Sequence, residues 1–169
     1  KKFKPDVFKI FSQKADRNIN GLKNFNKLKV AVSSDIYDFN TTFGIPKNVI
    51  KDGDVDMVVT SPPYGDSRTT VAYGQFSRWA NEWFGFANAG NLDSLLMGGG
   101  KTKEEKFETE SIRDVIDEIK SLDEKRYYEV VSFLNDYWDS MRNVAKSVRN
   151  GGVVCYVVGN RTVKGIQIP

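Results

Sequence analysis

The stretch that most constrains this chain is Val55-Asp56-Met57-Val58-Val59-Thr60, followed at once by Ser61-Pro62-Pro63-Tyr64. A short β-branched, apolar run bounded by turn residues predicts a buried strand. Two consecutive prolines then fix φ twice and remove two backbone donors, so neither a ladder nor a helix can continue through them. The strand must end in an abrupt, rigid loop.

The rest of the chain predicts what surrounds that strand. Leu28–Val32 alternates in part and predicts a strand ending at Ser33-Ser34-Asp35; Val153–Val158 predicts another buried strand, followed by Gly159-Asn160-Arg161. Helical spacing recurs between them. Residues 6–20 place Val7, Ile10, Phe11 and Lys14 on one side, with Gly21 as a stop; residues 74–87 carry Phe76, Trp79, Trp83 and Phe84 at core spacing. Residues 101–126 hold 16 charged side chains and predict a solvent-facing helix around Ile112, Val115, Ile116 and Ile119. The clearest helix is 126–149, closed by Asn150-Gly151-Gly152 in the manner of a helix C-terminus. Residues 36–53 read as a short or irregular crossover and 85–103 as a surface loop. Strands separated by helices and long crossovers imply an α/β fold with a mostly parallel sheet. Ligands sit at the carboxyl ends of such strands. Three of those ends collect polar or special residues, namely 33–35, 60–64 and 159–161, and their convergence predicts one site.

Composition narrows the chemistry. At 169 residues and 40% hydrophobic the chain can bury a real core. No apolar run approaches the length of a membrane span, and nothing near Lys1 reads as a secretory signal. Cys155 is the only cysteine, which excludes an internal disulfide and a cysteine-based zinc site and predicts a reducing compartment. There is no histidine, so Ser-His-Asp and Cys-His catalysis and every imidazole base are excluded. Net charge is +3, but residues 1–30 carry +7 and the remainder −4. A basic arm of this kind suits either a polyanion such as nucleic acid or a solvated helix face. Gly98-Gly99-Gly100-Lys101-Thr102 resembles the end of a phosphate loop, but Leu95 stands where that loop needs glycine.

The proline pair carries the functional reading. With no neighbouring N–H to compete, the carbonyls of Ser61 and Pro62 can face a ligand. A loop offering only acceptors, flanked by a hydroxyl and an aromatic ring, suits a planar substrate with an NH₂ group. Here the sequence resembles the amino-group DNA methyltransferases. Their catalytic motif is matched by Asp54 through Tyr64, and the Ser-Pro-Pro-Tyr form is typical of the cytosine-N(4) branch. Gly65-Asp66-Ser67-Arg68, Tyr73 through Trp79, and Asn150-Gly151-Gly152 with Gly159-Asn160-Arg161 and Lys164-Gly165 extend the likeness over about residues 28–169.

The resemblance implies a Rossmann-like methyltransferase fold, incomplete in this chain, with residues 1–27 a basic helical segment and 28–169 the catalytic region. It implies S-adenosyl-L-methionine as cofactor, double-stranded DNA as partner, and a prokaryotic, cytoplasmic, nucleoid-associated enzyme of restriction–modification. Ser61, Pro62, Pro63 and Tyr64 would be catalytic: Ser61 and the Pro62 carbonyl hold the amino hydrogens, and Tyr64 stacks on the flipped base. Asp35, Thr60, Gly159 and Asn160 would bind the cofactor, although Asp35 reads equally as a helix cap. Carbon-5 chemistry is excluded, because its cysteine follows a proline in a loop and Cys155 reads as a buried thiol in a strand. The family's Phe-x-Gly-x-Gly-like cofactor loop does not occur between Lys1 and Pro169. The chain therefore reads as a catalytic fragment or subunit, with the loop upstream, downstream or on a second polypeptide. Adenine-N(6) methylation, a non-catalytic nucleic-acid-binding piece, and an RNA or protein-amide methyltransferase remain as alternatives.

Overall fold

The computed structural model describes residues 4–27, 32–64, 73–91, 95–100, 102, 104–107 and 110–168. They fall into two compact units, Lys1–Tyr37 and Asp38–Pro169. The first contains helix α1 (Val7–Asn26), started by Asp6, whose carboxylate accepts the Lys9 amide at 3.0 Å. Leu28–Ala31, and with them most of the first expected strand, lie outside the described residues; Val32 is not in a strand and is exposed.

The second unit holds strand β1 (Val55–Thr60), helix α2 (Tyr73–Trp83), helix α3 (Arg113–Leu122), helix α4 (Glu124–Ser147) and strands β2 (Val148–Tyr156), β3 (Arg161–Val163) and β4 (Ile166–Ile168). β1 and β2 form a parallel pair; β3 and β4 form a separate antiparallel hairpin. Lys164 and Gly165 turn the hairpin with φ of 53° and 86°. Positive φ at both central residues of a two-residue loop matches the right-handed twist of the strands.

The core lies between α3, α4 and the hairpin. Ile116, Ile119, Tyr127, Val130, Val131 and Val163 are buried there with Phe107. Along α3 and α4 these residues recur every three or four positions, so the helix spacing read from the sequence is the spacing that packs. Asp123 ends α3 and caps α4 by accepting the Arg126 amide at 3.0 Å. Its carboxyl lies below the ordinary value because Lys164 donates to it at 2.8 Å and the α4 amides add to that. That contact ties the hairpin turn to the helix junction.

The parallel strands depart from expectation. Met57 is 60% and Val59 66% exposed, and Val153, Val154, Cys155 and Val158 are exposed as well. Among the described residues β1 pairs only with β2, and α4 covers only part of the pair, at Tyr156. β2 also starts earlier than expected, at Val148. Asn150-Gly151-Gly152 is therefore inside the strand and does not close α4. The register runs from Val55↔Val148 to Met57↔Val153, so the β2 side bulges there. Gly151 takes φ +76°, and a Cβ on Gly152 would lie 2.9 Å from the Asp56 carbonyl oxygen and 2.5 Å from Val148 Cγ1. The glycine pair lets the backbones close at a bulge. Trp79, Trp83 and Phe84 also differ: all three are exposed, since nothing among the described residues packs on that side of α2. Among the described residues no helix is long and apolar enough to cross a membrane.

Ile119 is fully buried at the centre of the α3–α4 contact. Ile119→Ala should cost about 2–5 kcal/mol, as removal of a core aliphatic side chain does. Urea unfolding of wild type and variant would measure it.

Candidate functional site

The site is built where β1 ends. The Thr60 carbonyl accepts the Val157 amide at 2.9 Å, extending the parallel pairing by one bond. This fixes Thr60, itself exposed, and points the chain into Ser61-Pro62-Pro63-Tyr64 beside the segment leaving β2. Pro62 and Pro63 are half-buried, Ser61 is exposed and Tyr64 is 36% exposed. The Ser61 and Tyr64 hydroxyls share a hydrogen bond of 2.6 Å, which closes the loop on itself. A hydroxyl has one hydrogen and two lone pairs, so Ser61 Oγ keeps at least one lone pair for a further partner whichever group donates.

Tyr64 forms one wall of a cavity of about 150 Å³. Pro63 and Tyr64 come from the loop, Val130, Phe133, Leu134 and Tyr137 from α4, Val158, Gly159, Asn160 and Arg161 from the segment after β2, and Ile168 from β4. A Cβ built on Gly159 would meet the Tyr64 ring at 3.4 Å, so this backbone is in van der Waals reach of the ring. Phe133 and Tyr137, one helical turn apart, stack with centroids 5.8 Å apart and planes 9° from parallel. Tyr156 meets Tyr137 edge-on at 6.1 Å. Burial raises the Tyr137 phenol above its ordinary value, and burial together with Tyr137 raises that of Tyr156. Both therefore remain neutral near pH 7. The result is an aromatic slot with hydrogen-bonding groups at one end.

Four residues singled out in the sequence, Pro63, Tyr64, Gly159 and Asn160, line this cavity together, and Ser61 is joined to it through Tyr64. Two of the three expected strand ends therefore converge. Thr60 and Pro62 stand beside the cavity without lining it. Asp35 is exposed and belongs to the first unit, and Gly65–Arg68 lie outside the described residues. Sequence reasoning missed Phe133 and Tyr137. Their four-residue spacing was visible, but it is the same spacing that marks the helix core.

The cavity can be tested against the two molecules the resemblance implies. A cavity near 150 Å³ accommodates a single six-membered ring, while sites for larger ligands run to about 300–1,000 Å³. Among the described residues, no carboxylate lines it to accept from ribose hydroxyls or an ammonium group. The residues present fit one ring stacked on Tyr64 and do not fit S-adenosylmethionine.

The chain is similar to the Type II methyltransferase M.MvaI of Kocuria varians. The two are 34% identical over 182 residues, a match covering 98% of this chain and 40% of that protein. The chain thus spans about two fifths of that relative's length. No protein-family model matches the sequence, and no solved structure matches it significantly. The expectation of a separate polypeptide carrying the cofactor loop finds no support in this likeness.

Because the cavity does not fit the cofactor, residues 1–169 alone should bind S-adenosylmethionine more weakly than micromolar. Calorimetric titration reads this directly, and micromolar affinity would mean that other residues of this chain hold the cofactor.

Proposed function

We propose that this chain is the target-base part of a restriction–modification DNA methyltransferase that modifies the exocyclic N(4) of cytosine. The observation that carries the proposal is the one-ring aromatic cavity under Tyr64, at the end of the strand that bears Ser61-Pro62-Pro63-Tyr64. The likeness to a Type II methyltransferase supports the reaction class, and the serine in the loop supports cytosine. A Rossmann-like sheet, a prokaryotic cytoplasmic setting and double-stranded DNA as substrate belong to the same reading.

The chemistry follows from the loop. An amino nitrogen conjugated to a base ring is a poor nucleophile, because its lone pair is delocalised. Acceptors on both N–H bonds favour a pyramidal nitrogen with a localised lone pair. Ser61 Oγ and the Pro62 carbonyl would be those acceptors, assigned by resemblance to the family motif. The prolines leave no nearby amide to occupy them. Flipping the base from the duplex costs a few kcal/mol of stacking and pairing, and stacking on Tyr64 offsets about 1–3 kcal/mol of that. Holding the nitrogen in one place and orientation supplies much of the remaining acceleration. The methyl donor is assigned to residues beyond this cavity, with Asp35 and Thr60 retained as cofactor contacts on the resemblance alone, while Gly159 and Asn160 line the base cavity.

The product decides between bases. Duplex DNA methylated by the full-length protein, digested to nucleosides and weighed, should contain N(4)-methylcytosine. N(6)-methyladenine as sole product would replace cytosine by adenine, whereas 5-methylcytosine would remove the amino-group mechanism altogether.

Two variants separate the ring of Tyr64 from its hydroxyl. Tyr64→Ala should weaken base capture by about 1–3 kcal/mol. Tyr64→Phe keeps the stacking surface and frees Ser61, so kcat should fall about fivefold, the equivalent of about 1 kcal/mol, with KM for DNA little changed. Steady-state kinetics on both variants would show whether the two roles divide in this way.

A further inference from the structure

Helix α1 is exposed along its whole length, with only Ala15 half-buried. At about 100° per residue its side chains sort into two faces. Val7, Phe8, Phe11, Ala15, Leu22 and Phe25 form one stripe, with Lys14 at its edge and Ile10 beyond it next to Arg17. Lys9, Arg17, Lys23 and, just past the helix end, Lys27 lie about 100° or more around from the centre of that stripe. Ser12, Gln13, Asn20 and Asn24 fill the space between them, and Asp16 is the single carboxylate.

In the second unit many cations are paired: Arg113 with Glu105, Arg126 with Glu129, Arg149 with Asp56, and Lys164 with Asp123. Lys51, Lys125 and Arg142 nevertheless have no ion pair among the described residues, and Lys146 donates only to Asn143. Among the described residues, Lys9, Lys14, Arg17 and Lys23 have no carboxylate partner, and Lys27 donates only to the Asn24 amide oxygen at 3.3 Å. Asp6, the nearest alternative, is engaged by the Lys9 backbone amide at 3.0 Å. Between Lys4 and Lys27 six cations stand against two carboxylates. The charge of this helix is balanced from outside.

We infer that the polar face of α1 lies along the phosphodiester backbone of the DNA substrate, with Lys9, Arg17, Lys23 and Lys27 meeting phosphates. The inference rests on the methyltransferase reading and adds to it a surface outside the base cavity. A helix of 20 residues spans about 30 Å, long enough to cross several phosphates, and amides and hydroxyls between lysines are the side chains that hydrogen-bond to phosphate oxygens. Two copies packed through their polar faces would set like charge against like charge, and two packed through their apolar stripes would leave the polar faces open to DNA. An anionic membrane could hold such a helix through its apolar stripe, but the likeness to a Type II methyltransferase favours DNA as the polyanion.

The test uses full-length protein and a fluorescent random-sequence duplex of about three helical turns, with binding measured by anisotropy across a salt series. Lys9→Ala/Lys23→Ala/Lys27→Ala should bind every duplex more weakly and flatten the slope of log K against log [NaCl] by about 0.9 for each lysine removed. Alanine is the best helix former, so α1 should persist, and circular dichroism checks that it does. Lys47→Ala, which breaks the exposed pair with Asp52, should leave the slope unchanged. A wild-type slope retained in the triple variant would overturn the inference and leave the methyltransferase reading standing. Wild-type protein that binds no DNA at low salt would overturn both. Loss in the triple variant of binding to phosphatidylserine vesicles, or of a dimer, with the DNA slope intact, would assign α1 to those partners instead.

Discussion

Helix α4 is the element on which the second unit depends, because it is used on two faces at once. One face gives Tyr127, Val130 and Val131 to the core against α3 and the hairpin. The other carries polar side chains that hold loops having no secondary structure of their own. Asn135 accepts the Lys106 amide at 2.7 Å and donates to the Glu104 carbonyl at 2.7 Å. Asp136 accepts the Gly98 amide at 2.8 Å. Ser140 bonds to the Thr41 hydroxyl at 2.7 Å, and Asn143 donates to the Thr41 carbonyl at 3.0 Å. Burying these side chains would be costly without partners, and each partner is a loop atom distant in sequence. The polar face thus converts the cost of burying amides and hydroxyls into a fixed path for three segments.

The same helix makes the site possible. Phe133 and Tyr137 project from the part of α4 that faces the end of β1, and α4 runs directly into β2, whose exit segment brings Gly159 and Asn160 to Tyr64. One rigid rod therefore sets the distance between the proline loop and the opposite wall of the cavity. Side chains held on a helix and beside a strand pairing keep their geometry better than side chains on free loops. The proline pair matters for the same reason: it leaves the loop few backbone conformations to choose among.

What the sequence made legible divides along the line between local and distant causes. The spacing of Ile112, Val115, Ile116 and Ile119, and that within residues 126–149, places helices through neighbours three and four residues away. Helix α3 (Arg113–Leu122) is shorter than the expected 101–126, and α4 (Glu124–Ser147) starts two residues earlier and yields Val148 to β2. The strand Val55–Thr60 and its abrupt end at Ser61-Pro62 were equally readable. Burial of the strands was not, because Met57 and Val59 look the same in sequence whether or not a second layer covers them. Asn150-Gly151-Gly152 reads as a helix stop from local preference. Its bulge geometry is imposed by the Asp56 carbonyl, almost a hundred residues away in sequence. The aromatic wall was hidden for a third reason: Phe133 and Tyr137 satisfy the core pattern, and only the position of Tyr64 reveals that their rings face a cavity.

The chemical character of the cavity follows from what its side chains lack. No histidine occurs in the chain, and among the described residues no carboxylate lines the slot. Burial keeps Tyr137 and Tyr156 as neutral phenols. Among the described residues that line the slot there is no carboxylate or imidazole, so a ring entering it meets oriented dipoles and π surfaces. In such surroundings a hydrogen bond is stronger than in water and its direction matters more. The 2.6 Å bond between Ser61 and Tyr64 then gains importance beyond its own energy. It holds the serine hydroxyl against Tyr64, beside backbone carbonyls that cannot rotate and the Asn160 amide.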